Sequence, residues 1–160
     1  MTAQPTDLAD VAAEVIDILS ARAEVAGVAL VNHCTAAPLD ADARRLKEAI
    51  INLVSNAIEA TPAGGTVAIR VQPQDRGAAL EIRDTGRGIA TQDLEKVGTP
   101  FFTTRAGGTG LGLVMARTVV EQHGGRFSIA SAPGAGTTIT IALPPAPYYP
   151  DPPLSGLEIS

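Results

Sequence analysis

The chain has 160 residues, 45% of them hydrophobic and 18% charged, with 12 Lys and Arg against 17 Asp and Glu for a net charge of −5. That is the make-up of one globular domain able to bury a core; the acidic balance and 3% aromatic content argue against a nucleic-acid partner, which needs a basic surface or stacking platforms. One cysteine, Cys34, excludes an intrachain disulfide, and no apolar run approaches the roughly 20 residues of a membrane helix. The first ten residues have neither the basic start nor the apolar stretch of a signal peptide, so no membrane contact and a cytoplasmic location are expected.

Val11, Val15, Ile18 and Leu19 recur at helical spacing and predict a helix over Leu8 to Ala23, capped by Thr6 or Asp7. Val28 to Val31 is a short apolar run that reads as a strand, and Cys34 to Ala37 reads as a loop. Asp40 or Asp42 opens a second helix, which runs to Ala60 and is stopped by Pro62 and the Gly64-Gly65 pair. Val67, Ile69 and Val71 alternate with Ala68, Arg70 and Gln72 as a strand does. With a turn over Gln74 to Gly77 and a strand over Ala79 to Arg83, they make an antiparallel hairpin.

Thr91 to Val97 reads as a short helix and Gly98 to Gly110 as a long Gly/Thr-rich loop of the kind that carries function. Leu111 to His123 is a helix ended by Gly124 and Gly125, with His123 placed where a positive charge suits the helix dipole. Strands over Phe127 to Ile129 and Ile139 to Leu143 are joined by a turn over Gly134 to Gly136. Six of the 12 prolines fall after Leu143, so 1–144 is expected to be the domain and 145–160 an extended or disordered Pro-rich tail. Helices mixed with hairpin strands indicate an α+β two-layer sandwich.

Four segments bear chemistry. In the second helix, Leu46, Ile50, Leu53 and Ala57 form an apolar stripe, and Glu48, Asn52, Asn56 and Glu59 lie on the opposite stripe. A solvated face would account for those four, but asparagine costs about 0.5 kcal/mol or more relative to alanine in a helix. Two amide oxygens one turn apart suit a hard cation such as Mg²⁺. Asp84-Thr85-Gly86-Arg87-Gly88-Ile89 follows a strand; it is either a plain turn or a carboxylate offered to a ligand N–H, with glycines that let backbone approach a flat group. The aspartic-protease reading of Asp-Thr-Gly needs a second copy or a homodimer, and the chain has no second copy.

Gly108-Thr109-Gly110-Leu111-Gly112-Leu113 opens a helix and is either a hinge or an anion site of free backbone N–H groups. It follows a long loop rather than a strand and lacks the lysine of a P-loop. Before it, Thr99-Pro100-Phe101-Phe102-Thr103-Thr104-Arg105 combines a small apolar anchor with a guanidinium suited to an anion. His33 and His123 lack metal-ligand spacing and read as structural.

The order of these segments is more specific than any one of them. Over about Leu8 to Pro144 the sequence resembles the catalytic, ATP-binding domain of bacterial sensor histidine kinases, in the ATPase superfamily shared with gyrase, Hsp90 and MutL. Asn52 to Ala60 is similar to its N box, Asp84 to Ile89 to its G1 box, Thr99 to Arg105 to its F box and Gly108 to Leu113 to its G2 box. The resemblance implies a mixed sheet of about five strands with helices on one face, and ATP and Mg²⁺ as ligands. It gives Asp84 the adenine amino group, with Gly86, Gly88 and Ile89 around it and Thr137 in support from a neighbouring strand.

It gives Asn56 the metal, with Asn52 beside it near the phosphates as both metal ligand and catalytic residue. Phe101, Thr103, Thr104, Gly108, Thr109, Gly110, Leu111, Gly112 and Leu113 would line or cover the nucleotide, and Arg105 would meet the phosphates as a catalytic residue. Glu59 stands where many members carry lysine, which shifts phosphate neutralisation onto Mg²⁺ and Arg105. Hydrolysing relatives place a glutamate one turn before the metal-binding asparagine; here that position is Asn52, and an amide is no general base.

The resemblance also implies a partner. The family's phosphoacceptor is a histidine followed by an acidic residue on a separate dimerisation helix pair, serving in turn a response regulator, and neither histidine here has that context. The chain is therefore expected to be the catalytic unit alone, acting on a histidine-bearing domain of the same kinase or of another chain. The alternatives are an ATPase of the gyrase or MutL kind and an anti-sigma-factor-like serine kinase or binding module. The chain incubated alone with γ-labelled ATP should stay unlabelled; an acid-labile label on His33 or His123 would contradict this assignment.

Overall fold

The computed structural model describes residues 1–86 and 111–146. Short strand β1 (Gln4–Asp7) leads into helix α1 (Leu8–Ala26), capped by Asp7, whose Oδ1 accepts the Ala9 N–H and, across the chain, the Ala37 N–H, each at 2.9 Å. The helix runs one turn beyond the expected end and closes on Gly27, whose N–H returns to the Ala23 and Glu24 carbonyls. Strand β2 (Ala29–Cys34) takes in Cys34, which the sequence places in a loop. Burial raises the Cys34 thiol pKa above its ordinary value, and its Sγ lies 3.6 Å from the Ile69 carbonyl. Strand β3 (Pro38–Ala41) pairs antiparallel with β1.

Helix α2 (Ala43–Ala60) begins at Asp42, not Asp40, which belongs to β3. Strands β4 (Thr66–Gln74) and β5 (Gly77–Asp84) form the expected hairpin. Its two turn residues, Asp75 and Arg76, both have positive φ, the twist that a tight hairpin requires. Helix α3 (Leu111–Gln122) and strands β6 (Arg126–Ser131) and β7 (Thr137–Leu143) complete the fold. The expected helix over Thr91 to Val97 and the loop over Gly98 to Gly110 lie outside the described residues, as do 147–160 of the expected tail. Pro145 accepts the Asp40 N–H at 2.8 Å.

Five strands form one mixed sheet in the order β2-β4-β5-β7-β6, with β2 parallel to β4 and the remaining pairs antiparallel. Val67, Ile69 and Val71 of β4, Leu80 and Ile82 of β5, and Ile139, Ile141 and Leu143 of β7 point to one side and are buried. The alternate residues stay partly exposed, so the helices cover one face only, as α+β sandwich architecture requires.

From α2, Leu46, Ile50, Leu53 and Ala57 are all buried, as their spacing predicts. From α1, Val11, Val15 and Leu19 are buried, but Ile18 is 55% exposed. The reason is geometric. Each four-residue step along Val11, Val15, Leu19 and Ala23 advances the stripe by about 40°, so Ile18 falls off its trailing edge. Among the described residues no helix is long and apolar enough to cross a membrane.

Asp42 anchors the start of α2. Its Oδ1 accepts the Arg45 N–H at 3.2 Å and its Oδ2 the Thr2 N–H at 2.9 Å. The Thr2 N–H is the main reason its carboxyl titrates below the ordinary value; burial opposes this, and the Arg45 N–H, the positive chain terminus and Arg45 reinforce it. A depressed folded-state pKa means stability that is present above the ordinary Asp range and lost as pH falls through the lowered value. Asp42→Ala should cost about 1 kcal/mol in denaturant unfolding at neutral pH, with the deficit shrinking in acid. A pH-independent deficit would contradict the cap assignment.

Candidate functional site

Two clusters form along α2. The first sits on its exposed side. Glu48 and Glu59, which share the asparagine stripe, make surface ion pairs: Glu48 with Arg44 at 3.7 Å and Glu59 with Arg22 of α1 at 3.4 Å. Arg22 also donates to Ser55 Oγ at 2.6 Å, which ties α1 to α2. The two asparagines instead face α3. An ideal Cβ placed on Gly112 would lie 3.6 Å from both Asn52 Cβ and Asn56 Nδ2, so the first turn of α3 runs directly over the pair. Asn52 Nδ2 donates to the Glu48 carbonyl at 3.2 Å and approaches Met115 Sδ at 3.9 Å, which leaves its carbonyl oxygen as the atom with lone pairs to offer. Leu113 packs against the main core.

The second cluster stands where β5 ends. Asp84 is only 7% exposed. Its Oδ1 accepts the Gly86 N–H at 2.8 Å and the Thr137 N–H of β7 at 3.2 Å. Buried carboxylates need such donors, and here backbone supplies them, so the position of Asp84 is set by the strands themselves. Thr137 Oγ1 lies 2.8 Å from Ser131 Oγ, and Ser131 Oγ donates to the Gly136 carbonyl at 2.9 Å, closing the β6–β7 turn against Asp84.

Two glycines make this approach possible. A Cβ on Gly86 would come within 2.5 Å of the Ala60 carbonyl at the end of α2 and 2.8 Å of Asp84 Oδ1. Gly136 has φ +78°, and a Cβ there would collide with the Asp84 carbonyl oxygen. Ala60 lies one turn beyond Asn56, so the last two turns of α2 carry the asparagines at one end and the Asp84 turn at the other.

The structure thus brings Asn52, Asn56 and Gly112 together, and Asp84, Gly86 and Thr137 together. Leu111 starts α3, but its side chain is outside the description. Gly88, Ile89, Phe101, Thr103, Thr104, Arg105, Gly108, Thr109 and Gly110 lie outside the described residues. Sequence reasoning missed Gly136 as a shaping element, although its Gly-Ala-Gly context signals a tight turn. It missed Met115 altogether, since a methionine on a helix carries no site signal.

Residues 41–147 match the family model described as histidine kinase-, DNA gyrase B- and HSP90-like ATPase. Among relatives, the sensor histidine kinase ZraS of Escherichia coli K12 is 42% identical over 106 residues, 66% of this chain and 23% of that protein. The histidine protein kinase DivJ of Caulobacter vibrioides is 41% identical over 134 residues, 79% of this chain and 22% of that protein. The chain therefore spans less than a quarter of the length of either kinase. Among solved structures, the mycobacterial sensor histidine kinase MprB superposes with a TM-score of 0.81 at 31% identity, covering 91% of this chain and 99% of that one. The catalytic domain of histidine kinase ThkA superposes at 0.83 with 28% identity, covering 92% and 98%.

Gly134 and Gly136 separate two effects. Both have positive φ, but a Cβ on Gly134 meets nothing within 4 Å. Gly134→Ala should lose only the left-handed strain of about 1 kcal/mol. Gly136→Ala should lose about 1–3 kcal/mol more, because β5 and β7 must part around Asp84. Equal losses in denaturant unfolding would show that the turn does not press on Asp84.

Proposed function

The chain belongs to the histidine kinase-, DNA gyrase B- and HSP90-like ATPase family, and from that premise we propose that it is the ATP·Mg²⁺-binding catalytic unit of a sensor histidine kinase, passing the γ-phosphoryl of ATP to a histidine on a separate dimerisation domain or chain. A response regulator would be the indirect beneficiary. The observation that carries this reading is the buried Asp84 carboxylate, immobilised by the Gly86 and Thr137 N–H groups beside the helix that bears Asn52 and Asn56.

The residues fit both ligands. Asp84 holds a negative oxygen pair in a fixed, nearly dry position, where it accepts an N–H from the adenine amino group. Guanine presents a carbonyl at the same place, and two facing acceptors leave polar groups unpaired at about 1–3 kcal/mol each. Gly86 has no side chain, so backbone lies against the base. Asn52 and Asn56 supply two amide oxygens, the hard donors that Mg²⁺ takes. When bound, Mg²⁺ neutralises phosphate charge as it builds during transfer.

Gly112 lets the N-terminal turn of α3 stand over the asparagines, and that turn offers backbone N–H groups and the positive end of a helix dipole to the phosphates. Arg105 and the glycines Gly108 and Gly110 would complete the phosphate contacts. Phosphoryl transfer asks chiefly for positioning and charge stabilisation, which these groups provide. Asn52 cannot deprotonate water, and Glu48 stands one turn further away, so neither is placed to activate a water, while an incoming imidazole brings its own lone pair.

Titration calorimetry should show ATP and ADP binding, no GTP binding, and loss of most affinity in Asp84→Asn. Binding of GTP as well as ATP would remove the adenine assignment. Steady-state phosphate release should be very slow, since a water-activating base is worth about 10²–10⁴-fold. Turnover near 1 per second that Asn52→Ala abolishes would move the chain to the ATPase class.

A further inference from the structure

Among the described residues His123 is the largest buried polar side chain, 1% exposed, and the proposed chemistry does not use it. Its two ring nitrogens have unlike partners. Nε2 lies 3.0 Å from the backbone N–H of Asp42, which can only donate. Nδ1 lies 2.8 Å from the Val119 carbonyl, which can only accept. The imidazole is therefore neutral, with its proton on Nδ1. This corrects the expectation of a positive charge suited to the helix dipole: a protonated ring would point an N–H at the Asp42 N–H.

The bond joins the end of α3 to the residue that caps the start of α2. At the other end of α3, Gly112 lies over Asn52 and Asn56. The two helices thus run antiparallel and are matched at both ends, over about 16 Å at 1.5 Å per residue. Between these ends the buried face of α3 consists of Ala116, Val119 and Val120. These small apolar side chains stabilise the contact through an attraction that is not itself directional. The His123–Asp42 hydrogen bond is directional, and it joins residues 81 apart in the chain.

We propose that His123 is a positioning residue for nucleotide binding: by accepting the Asp42 N–H through Nε2 it fixes the register of α3 along α2 and so sets Gly112 and the first turn of α3 over Asn52 and Asn56. A slide of α3 by about 1.5 Å, the rise of one residue, is enough to carry Gly112 off the asparagines and bring bulkier parts of the first turn toward them. The functional part of this inference rests on the nucleotide reading above; the register part does not.

Two variants separate the roles of the ring nitrogens. Gln places an oxygen near the position of Nε2 and can still accept the Asp42 N–H, whereas Asn reaches only the position of Nδ1. In ligand-free ¹⁵N spectra, His123→Asn should shift the Gly112 amide and the Asn52 and Asn56 side-chain amides, and His123→Gln should leave them near wild type. In calorimetry His123→Asn should weaken ATP binding about tenfold or more, with His123→Gln restoring it. Shifts confined to the surroundings of residues 42 and 123 would overturn the proposal, as would wild-type ATP affinity in a folded His123→Asn.

A wild-type chain that binds no ATP but shows the remote shifts would overturn the nucleotide reading while keeping the register role. If His123→Asn does not fold, the wild-type ring decides. Nδ1 must carry the proton and Nε2 must show the ¹⁵N shift of an unprotonated acceptor; the opposite tautomer or a doubly protonated ring would overturn the proposal.

Discussion

A carboxylate buried among strands must have hydrogen-bond donors of its own, and the way Asp84 obtains them organises the site. Its Oδ1 accepts backbone N–H groups from the following turn and from β7, so that oxygen is placed by sheet register. That register brings Asp84 opposite Thr137, and the close packing around it tolerates no side chain at Gly86 or Gly136. Because Gly86 rests on the Ala60 carbonyl, the same constraint fixes the end of α2, and through α2 the asparagine pair. In the proposed reading, nucleotide selectivity and metal binding would both depend on this one unit of β5, β7 and α2.

Helix α2 has two unlike neighbours. Its apolar stripe of Leu46, Ile50, Leu53 and Ala57 is buried in the core, where burial of each large side chain contributes about 1.5–3 kcal/mol. Its other stripe is divided: the glutamates make exposed ion pairs of little energetic value, and the asparagines sit beneath α3. The stability of the helix thus comes from one face, which leaves the other free to carry residues chosen for chemistry despite their poor helix propensity.

Much of this was legible in the sequence because it is local. The buried stripe of α2, the alternation of β4, the hairpin to β5 and the glycine turn before β7 are patterns of a few residues, and each appears as expected. The asparagine pair stood out because asparagine is an unfavourable choice on a helix. Strands β1 and β3 were not legible: each has four residues with a proline, and they pair Gln4 with Ala41 across the whole of α1. Cys34 belongs to β2 although its local sequence reads as a loop, because an edge strand needs no unbroken apolar alternation. The contacts that shape the site join residues far apart, Thr137 to Asp84 and His123 to Asp42, and no local pattern encodes them.

The central claim is that Asp84 reads the base while the asparagines and the N-terminal turn of α3 hold the phosphate end. The most direct test is the structure of the chain with a non-hydrolysable ATP analogue and Mg²⁺. The account predicts the adenine amino group within hydrogen-bond distance of the Asp84 carboxylate, and the metal on the Asn56 amide oxygen with Asn52 alongside. A nucleotide whose base lies away from Asp84, or a metal held without either asparagine, would contradict it.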